Sequence, residues 1–174
     1  MNVEIYKGGG GAAAATSGTY GGTIVINDGT YTTHADMGSA AVYSTGNITV
    51  NNSVLTAEAA DGACVDGPAS ITLNNSRLSA LTNHSVSFAK SPLTGIPDGT
   101  SNFTMNGGKL NSSGALFYVP NGYAIIDLNF ARVNSDSGVL VTTAYSRGGL
   151  ANNPARGSAF DFTAKKERLG SNII

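Results

Sequence analysis

Acidic side chains that could perform catalysis stand at Asp127 and Asp161, in the phrases "IDLN" and "FDFT". Each follows an apolar residue, so the alternation of side chains along a strand directs both carboxylates outward. If the two phrases lie on neighbouring strands, the carboxylates are roughly 5 Å apart, a spacing typical of retaining glycosidases. Because no third acid accompanies them, solvated strand faces are expected, and a catalytic or calcium-binding pair is the alternative.

Basic side chains form a second candidate site. Arg77, Lys109 and Arg132 each stand just before an apolar Leu or Val in matching sequence phrases. Stacked at about 4.8 Å, three cations repel one another, and either nearby acids and solvent or an anionic ligand must offset that repulsion. Such a column suits carboxylates or sulfates along a polysaccharide, so it is the predicted ligand site. The chain has no Trp, and Tyr43 and Tyr118 are the expected sugar-stacking residues.

The remaining reactive side chains form no catalytic pattern in the sequence. His34 and His84 have no acid at triad or metal spacing, so both are predicted to be turn residues. Cys64 is the single cysteine, which leaves no internal disulfide or Cys-rich zinc site and predicts a small buried side chain. No cofactor and no metal are therefore expected.

A repeated phrase must position these residues. The stretch "ITVNNSVL" from Ile48 returns as "ITLNNSRL" from Ile71 and "FTMNGGKL" from Phe103. Looser copies begin at Val3, Ile24, Ile126 and Phe160. A recurrence mostly in the low twenties, with apolar residues at alternate positions, is typical of a β-solenoid. The sequence predicts an all-β fold for residues 1–174 as one domain, a right-handed parallel β-helix with three strands per coil and about six to seven coils.

An asparagine closes the first strand of five copies. The five are Asn27, Asn51, Asn74, Asn106 and Asn129. Stacked amides can hydrogen-bond up and down a column, so an internal asparagine ladder is predicted at one corner. The two long steps carry extra residues, 81–101 and 142–158, which we predict to form loops after the third strand on one side of the solenoid. That side is either its binding side or the site of two tolerated surface loops.

The phrases "GGTIVINDGTY", "GSAAVYSTGNITVNNSVLTA", "ITLNNSRLSA", "FTMNGGKLNSSGALFYV" and "SGVLV" carry a family resemblance. They resemble right-handed parallel β-helix repeat proteins on the surfaces of gut-type Gram-positive bacteria. Those proteins are labelled adhesin-like or carbohydrate-binding and share the pectin-lyase-like fold. The resemblance covers Gly21 to Thr163 and implies an extracellular, cell-surface setting and a longer parent protein.

Composition narrows the function further. A formal charge of −1 without a Lys/Arg block predicts no general attraction to nucleic acid, and the apolar runs are too short for membrane insertion. The prediction is a non-enzymatic module, structural and adhesive, with weak binding of anionic polysaccharide or cell-surface glycan and possible end-to-end self-association. The alternatives are a polysaccharide lyase or glycoside hydrolase, and an ice-binding solenoid using Thr49, Thr72 and Thr104.

Overall fold

The computed structural model describes residues 2–6, 14–16, 22–35, 39–89, 99–120, 122–143 and 158–165. Among these residues there are sixteen strands and no helix, and so no helix that is long and apolar enough to cross a membrane. Every strand pairing is parallel. The predicted all-β class is therefore confirmed, with parallel sheets that are compatible with a β-solenoid.

The strands form two sheets, one of ten strands and one of six. The larger sheet contains β1 (Asn2–Tyr6), β3 (Ile24–Asn27), β4 (Thr30–His34), β6 (Ile48–Asn51), β7 (Val54–Glu58), β9 (Ser70–Ala80), β11 (Thr100–Ser112), β13 (Gly122–Asn129), β14 (Arg132–Ser135) and β16 (Ser158–Lys165). The smaller sheet contains β2 (Ala14–Thr16), β5 (Ala40–Ser44), β8 (Asp61–Asp66), β10 (His84–Ala89), β12 (Phe117–Tyr118) and β15 (Val141–Thr142).

The register of the larger sheet follows the repeated phrase. Ile48 is opposite Ile71, Ile71 is opposite Phe103, and the next partner is Ile126. All four side chains are fully buried, whereas the residue that follows each of them is partly exposed. This alternation is what the period of two along a strand requires when one face covers a core.

One apolar core lies between the inward faces of the two sheets. The larger sheet contributes the buried column of Leu55, Leu78 and Leu110, and the smaller sheet contributes Phe88 and Phe117. The rings of Phe103 and Phe117 meet edge to face, with centroids 5.0 Å apart. Because the inward residues of neighbouring strands stack on one another, each strand buries its apolar face against the strands before and after it.

A corner follows the asparagine of each phrase. The residue after the asparagine has a positive φ in every copy described: Asp28 (47°), Asn52 (49°), Asn75 (47°), Gly107 (71°) and Phe130 (58°). Asp, Asn and Gly are the residue types that adopt this left-handed conformation most readily. The sequence thus places a turn-forming residue at four of these five corners, and Phe130 is the exception.

Two predicted registers are wrong. The phrase from Val3 is not a copy of the first strand, because Val3 pairs with Tyr31 of β4. The phrase from Phe160 is shifted by two residues, since Phe162 rather than Phe160 lies opposite Ile126. Both errors have one cause: a shift of two residues, or a change of strand, leaves the alternation of inward and outward side chains intact.

The two predicted insertions are only partly described. Residues 84–89, assigned to the first insertion, form β10 and pair with β8 and β12 in the smaller sheet. That part of the prediction is wrong, because Val86 and Phe88 alternate with serines and point into the core as in a strand. The ends of the two insertions also belong to strands, since Thr100 and Ser101 lie in β11, Thr142 in β15 and Ser158 in β16. The segments 90–98 and 144–157 lie outside the described residues.

Candidate ligand-binding groove

The predicted basic column is present on three consecutive parallel strands. Lys109 of β11 lies opposite Arg77 of β9 on one side and opposite Arg132 of β14 on the other. All three side chains are exposed. Parallel pairing separates neighbouring strands by about 4.8 Å, so the column presents a cation at every strand. Val54 precedes the column, opposite Arg77.

The column borders an open groove with a volume of about 470 Å³. The groove follows the corner between the two halves of each phrase. Its lining residues are Asn52, Ser53, Val54, Asn75, Ser76, Arg77, Gly108, Lys109, Phe130 and Arg132. Cations, amides, hydroxyls and two exposed apolar side chains therefore face a single concave surface.

Small residues form the floor of the groove. Ser53 and Ser76 are buried, and the Ser53 amide donates to the Ser76 hydroxyl over 3.1 Å. The next position is Gly108, with a φ of 86°, where an added Cβ would lie 2.0 Å from the carbonyl oxygen of Ser76. The backbone of β11 lies so close to β9 here that no side chain fits at Gly108, and this part of the groove lining carries no side chain.

Carboxylates do not neutralise the basic column among the residues that the structure describes. The two ion pairs found there join His34 to Glu58 and His84 to Asp61. Within the column, the Arg77 Nε donates to the hydroxyl of Ser79 over 3.3 Å. Solvent and dissolved ions therefore screen the mutual repulsion of the three cations, and a bound anion would reduce that repulsion further.

The asparagine ladder runs beside the groove as a continuous chain of amide hydrogen bonds. Each Nδ2 donates to the Oδ1 of the preceding ladder residue, over 2.8 Å in three steps and 3.0 Å in the last. The ladder is Asn27, Asn51, Asn74, Asn106 and Asn129. The predicted internal position is wrong, because these side chains are half-buried or exposed. Alternation after the inward Val50 turns Asn51 outward, and the corner begins one residue later.

The two tyrosines lie on the smaller sheet, away from the groove lining. Tyr118 is 5% exposed and stacks on His84 with ring centroids 4.6 Å apart. The Tyr43 hydroxyl donates to the Asp66 carboxylate over 2.9 Å, and burial together with that carboxylate raises the pKa of Tyr43. The prediction that Tyr118 stacks on a sugar is wrong because its ring is buried, and Tyr43 is not brought to the basic column.

The predicted carboxylate pair is wrong, because the two acids do not lie opposite each other. Asp127 lies opposite Thr163, and Asp161 lies opposite Ile125. The two-residue shift of β16 separates the acids along the strand direction. Asp161 instead accepts a hydrogen bond from the hydroxyl of Tyr123, which holds the pKa of that phenol above its ordinary value.

Both histidines have acidic partners that the sequence reading missed. His34 lies opposite Glu58, and His84 lies opposite Asp61, with a distance of 2.8 Å between Nδ1 and a carboxylate oxygen in each pair. The prediction of turn residues is wrong because each histidine lies in a strand, and its acidic partner is one repeat away along the chain rather than at triad or metal spacing. The repeat period is therefore the sequence signal that indicates both pairs.

Cys64 is buried and unpaired, as predicted. Burial raises the pKa of its thiol to about 12, and the nearby Asp61 carboxylate acts in the same direction. A thiol with so high a pKa is a poor nucleophile at neutral pH. Within the described ranges, no group of three or more His, Cys, Asp or Glu side chains could hold a metal ion.

Comparison of the chain with protein-family models, with curated proteins and with solved structures gives no match. The groove is therefore interpreted from its own residues.

Proposed function

We propose that the chain is a right-handed parallel β-helix with three strands per coil and about six to seven coils. Three parallel ladders support this architecture among the described strands: β3 to β16 through β6, β9, β11 and β13; β1 to β14 through β4, β7, β9 and β11; and the six strands of the smaller sheet. Each ladder contains one strand segment from each of six successive repeats. Right-handed crossover between parallel strands is the strongly preferred connection.

The proposed function is adhesion. The chain is a non-enzymatic, extracellular module of a bacterial surface protein that binds anionic polysaccharide along the groove. One observation carries this proposal: Arg77, Lys109 and Arg132 lie opposite one another on adjacent strands and line a single groove. A structural role alone does not require three like charges in register, because the buried Leu78 and Leu110 supply the packing of β9 and β11.

The groove suits an extended anionic chain better than a compact anion. Its cations follow one another across the strands, so a polymer lying perpendicular to the strands meets one cation at each step of about 4.8 Å. Each charge-assisted contact at an exposed site contributes little, about 1 kcal/mol or less. Affinity is therefore expected from several contacts made at once, and it should fall as salt rises.

Binding to alginate, a carboxylated polysaccharide, tests the proposal. Replacing Arg77, Lys109 and Arg132 together by Ser should abolish binding and leave the thermal midpoint unchanged or slightly higher, because all three side chains are exposed and their mutual repulsion is removed. Two controls, Asp127→Asn and Lys165→Ser, alter charges outside the groove lining and should bind as the parent does.

Two results would overturn the proposal. The first is a triple variant that binds alginate as tightly as the parent. The second is release of reducing ends or of unsaturated sugars by the parent, which would favour a polysaccharide lyase or glycoside hydrolase over an adhesive module.

A further inference from the structure

Phe130 has a backbone conformation that is poorly suited to its side chain. Its φ is 58°, in the left-handed region that bulky residues rarely adopt. The equivalent corners of the other repeats carry Asp28, Asn52, Asn75 and Gly107. Asp and Asn have short polar side chains that can bond locally in this conformation, and Gly has no Cβ to clash. A benzyl side chain offers neither advantage.

Core packing does not explain this choice. The Phe130 side chain is 54% exposed and is not part of the buried cluster between the sheets. Its backbone is fixed all the same, because the Phe130 amide donates to the Lys165 carbonyl over 2.9 Å. The chain therefore holds an aromatic ring in water, in a strained conformation, at a corner where Asn or Gly would be accommodated without strain. A strained backbone conformation that is not offset by core packing points to a functional role.

The exposed ring lies in the groove. Phe130 and Arg132 are two residues apart, and both line the same concave surface as Lys109 and Arg77. An aromatic face beside a row of cations suits a ligand with both an apolar face and a negative charge. Pyranose rings of anionic polysaccharides have both features, because their axial C–H groups form an apolar face and their substituents carry the carboxylate or sulfate.

We infer that Phe130 is the sugar-stacking platform of the groove. A pyranose ring packs on the exposed face of Phe130, while the anionic groups of the same polysaccharide meet Arg132, Lys109 and Arg77. This inference rests on the proposed function and narrows it: the ligand is recognised as a sugar at one end of the groove, and as a polyanion along the rest. Phe130 fills the role that the sequence assigned to Tyr43 and Tyr118.

Two polymers with the same anionic group separate stacking from charge attraction. Alginate carries carboxylates on sugar rings, whereas polyacrylate carries carboxylates on a chain without rings. In the Phe130→Asn variant, alginate binding should fall about tenfold, which corresponds to about 1.4 kcal/mol, and polyacrylate binding should not change. The thermal midpoint should stay the same or rise, because Asn tolerates the left-handed corner. Phe130→Tyr retains an aromatic face and should bind alginate as the parent does.

The outcomes distinguish this inference from the function on which it rests. Unchanged alginate binding by Phe130→Asn, or equal losses for both polymers, would overturn the platform and leave the basic groove standing. A lower thermal midpoint in Phe130→Asn would overturn it as well, since the ring would then serve the fold. A parent that binds neither polymer, or a triple Ser variant that binds both, would overturn the proposed function and the platform together.

Discussion

His84 lies directly opposite Asp61 on neighbouring parallel strands, with 2.8 Å between the His84 Nδ1 and the Asp61 Oδ1. The two side chains are only 6% and 5% exposed. His34 and Glu58 form a pair with the same distance and the same register on β4 and β7, but their side chains are 26% and 50% exposed. The chain thus contains the same His–carboxylate pairing twice, once buried and once more exposed to solvent.

Removing the carboxylate from each pair should give very different results. Asp61→Ala leaves His84 buried without this partner and should lower the free energy of unfolding by about 3 kcal/mol. Glu58→Ala leaves His34 open to water and should cost about 1 kcal/mol or less. Urea unfolding of both variants measures the difference. Equal losses would show that burial does not set the strength of these pairs.

The amide ladder should stabilise the fold modestly. Asn74 donates to Asn51 and accepts from Asn106, so Asn74→Ala removes two ladder bonds. Since the ladder is outward and partly exposed, water can replace some of these bonds, and the loss should be about 1 kcal/mol, the low end of the 1–3 kcal/mol expected for an internal ladder. Asn102→Ala, an outward amide outside the ladder, is the control and should cost less. A thermal midpoint no lower for Asn74→Ala than for Asn102→Ala would contradict this.

Alanine substitutions at two glycines with positive φ distinguish the effect of a steric clash from that of backbone strain. At Gly108 a Cβ would lie 2.0 Å from the Ser76 carbonyl oxygen, whereas at Gly138, with a φ of 73°, a Cβ would have no neighbour within 4 Å. Gly138→Ala should therefore cost only the left-handed strain, about 1–2 kcal/mol. Gly108→Ala must also push β9 and β11 apart and should cost clearly more. Thermal denaturation compares the two, and similar midpoints would mean that the close approach of these strands is easily relaxed.

The buried thiol makes stability depend on pH in the alkaline range. Burial raises the folded-state pKa of Cys64 from the ordinary 9.0 to about 12. Above pH 9 the unfolded thiol loses its proton and the folded one keeps it, so stability falls between pH 9 and about 12. The slope for this group is at most about 1.4 kcal/mol per pH unit. Cys64→Ala removes this contribution and should show a shallower decline in urea unfolding under reducing conditions. Parallel declines in the two proteins would contradict the assignment.

The stacking of repeats could be predicted because the period of the repeated phrase, and the alternation of apolar and polar residues within it, are visible in the sequence. Ile48, Ile71 and Phe103 are the first residues of matching phrases, and they pair as expected. The register of β16 could not be fixed in the same way, since Phe160 and Phe162 both satisfy an inward position and differ by one full alternation. The predicted pair of Asp127 and Asp161 was wrong for the same reason, because it depended on that register.

Part of the candidate site could also be predicted. Arg77 and Lys109 occupy the same position in well-matched phrases. Aligning the phrases is therefore enough to predict that the two residues lie opposite each other on neighbouring strands. Phe130 could not be recognised as a groove residue, because its meaning depends on a backbone angle that the residue type disfavours. The burial of Tyr118 likewise depends on contacts between distant parts of the chain, such as its stacking on His84.

The most direct test of the account is where an anionic polysaccharide touches the protein. Titrating alginate oligosaccharides into isotope-labelled protein, and following the amide nitrogen and proton chemical shifts, locates the contact by residue. The largest shifts should fall on the groove lining, at Ser53, Val54, Ser76, Arg77, Gly108, Lys109, Phe130 and Arg132. Saturable shifts that instead centre on Thr49, Thr72 and Thr104, or on Tyr43 of the smaller sheet, with the groove unchanged, would contradict the basic groove as the binding site.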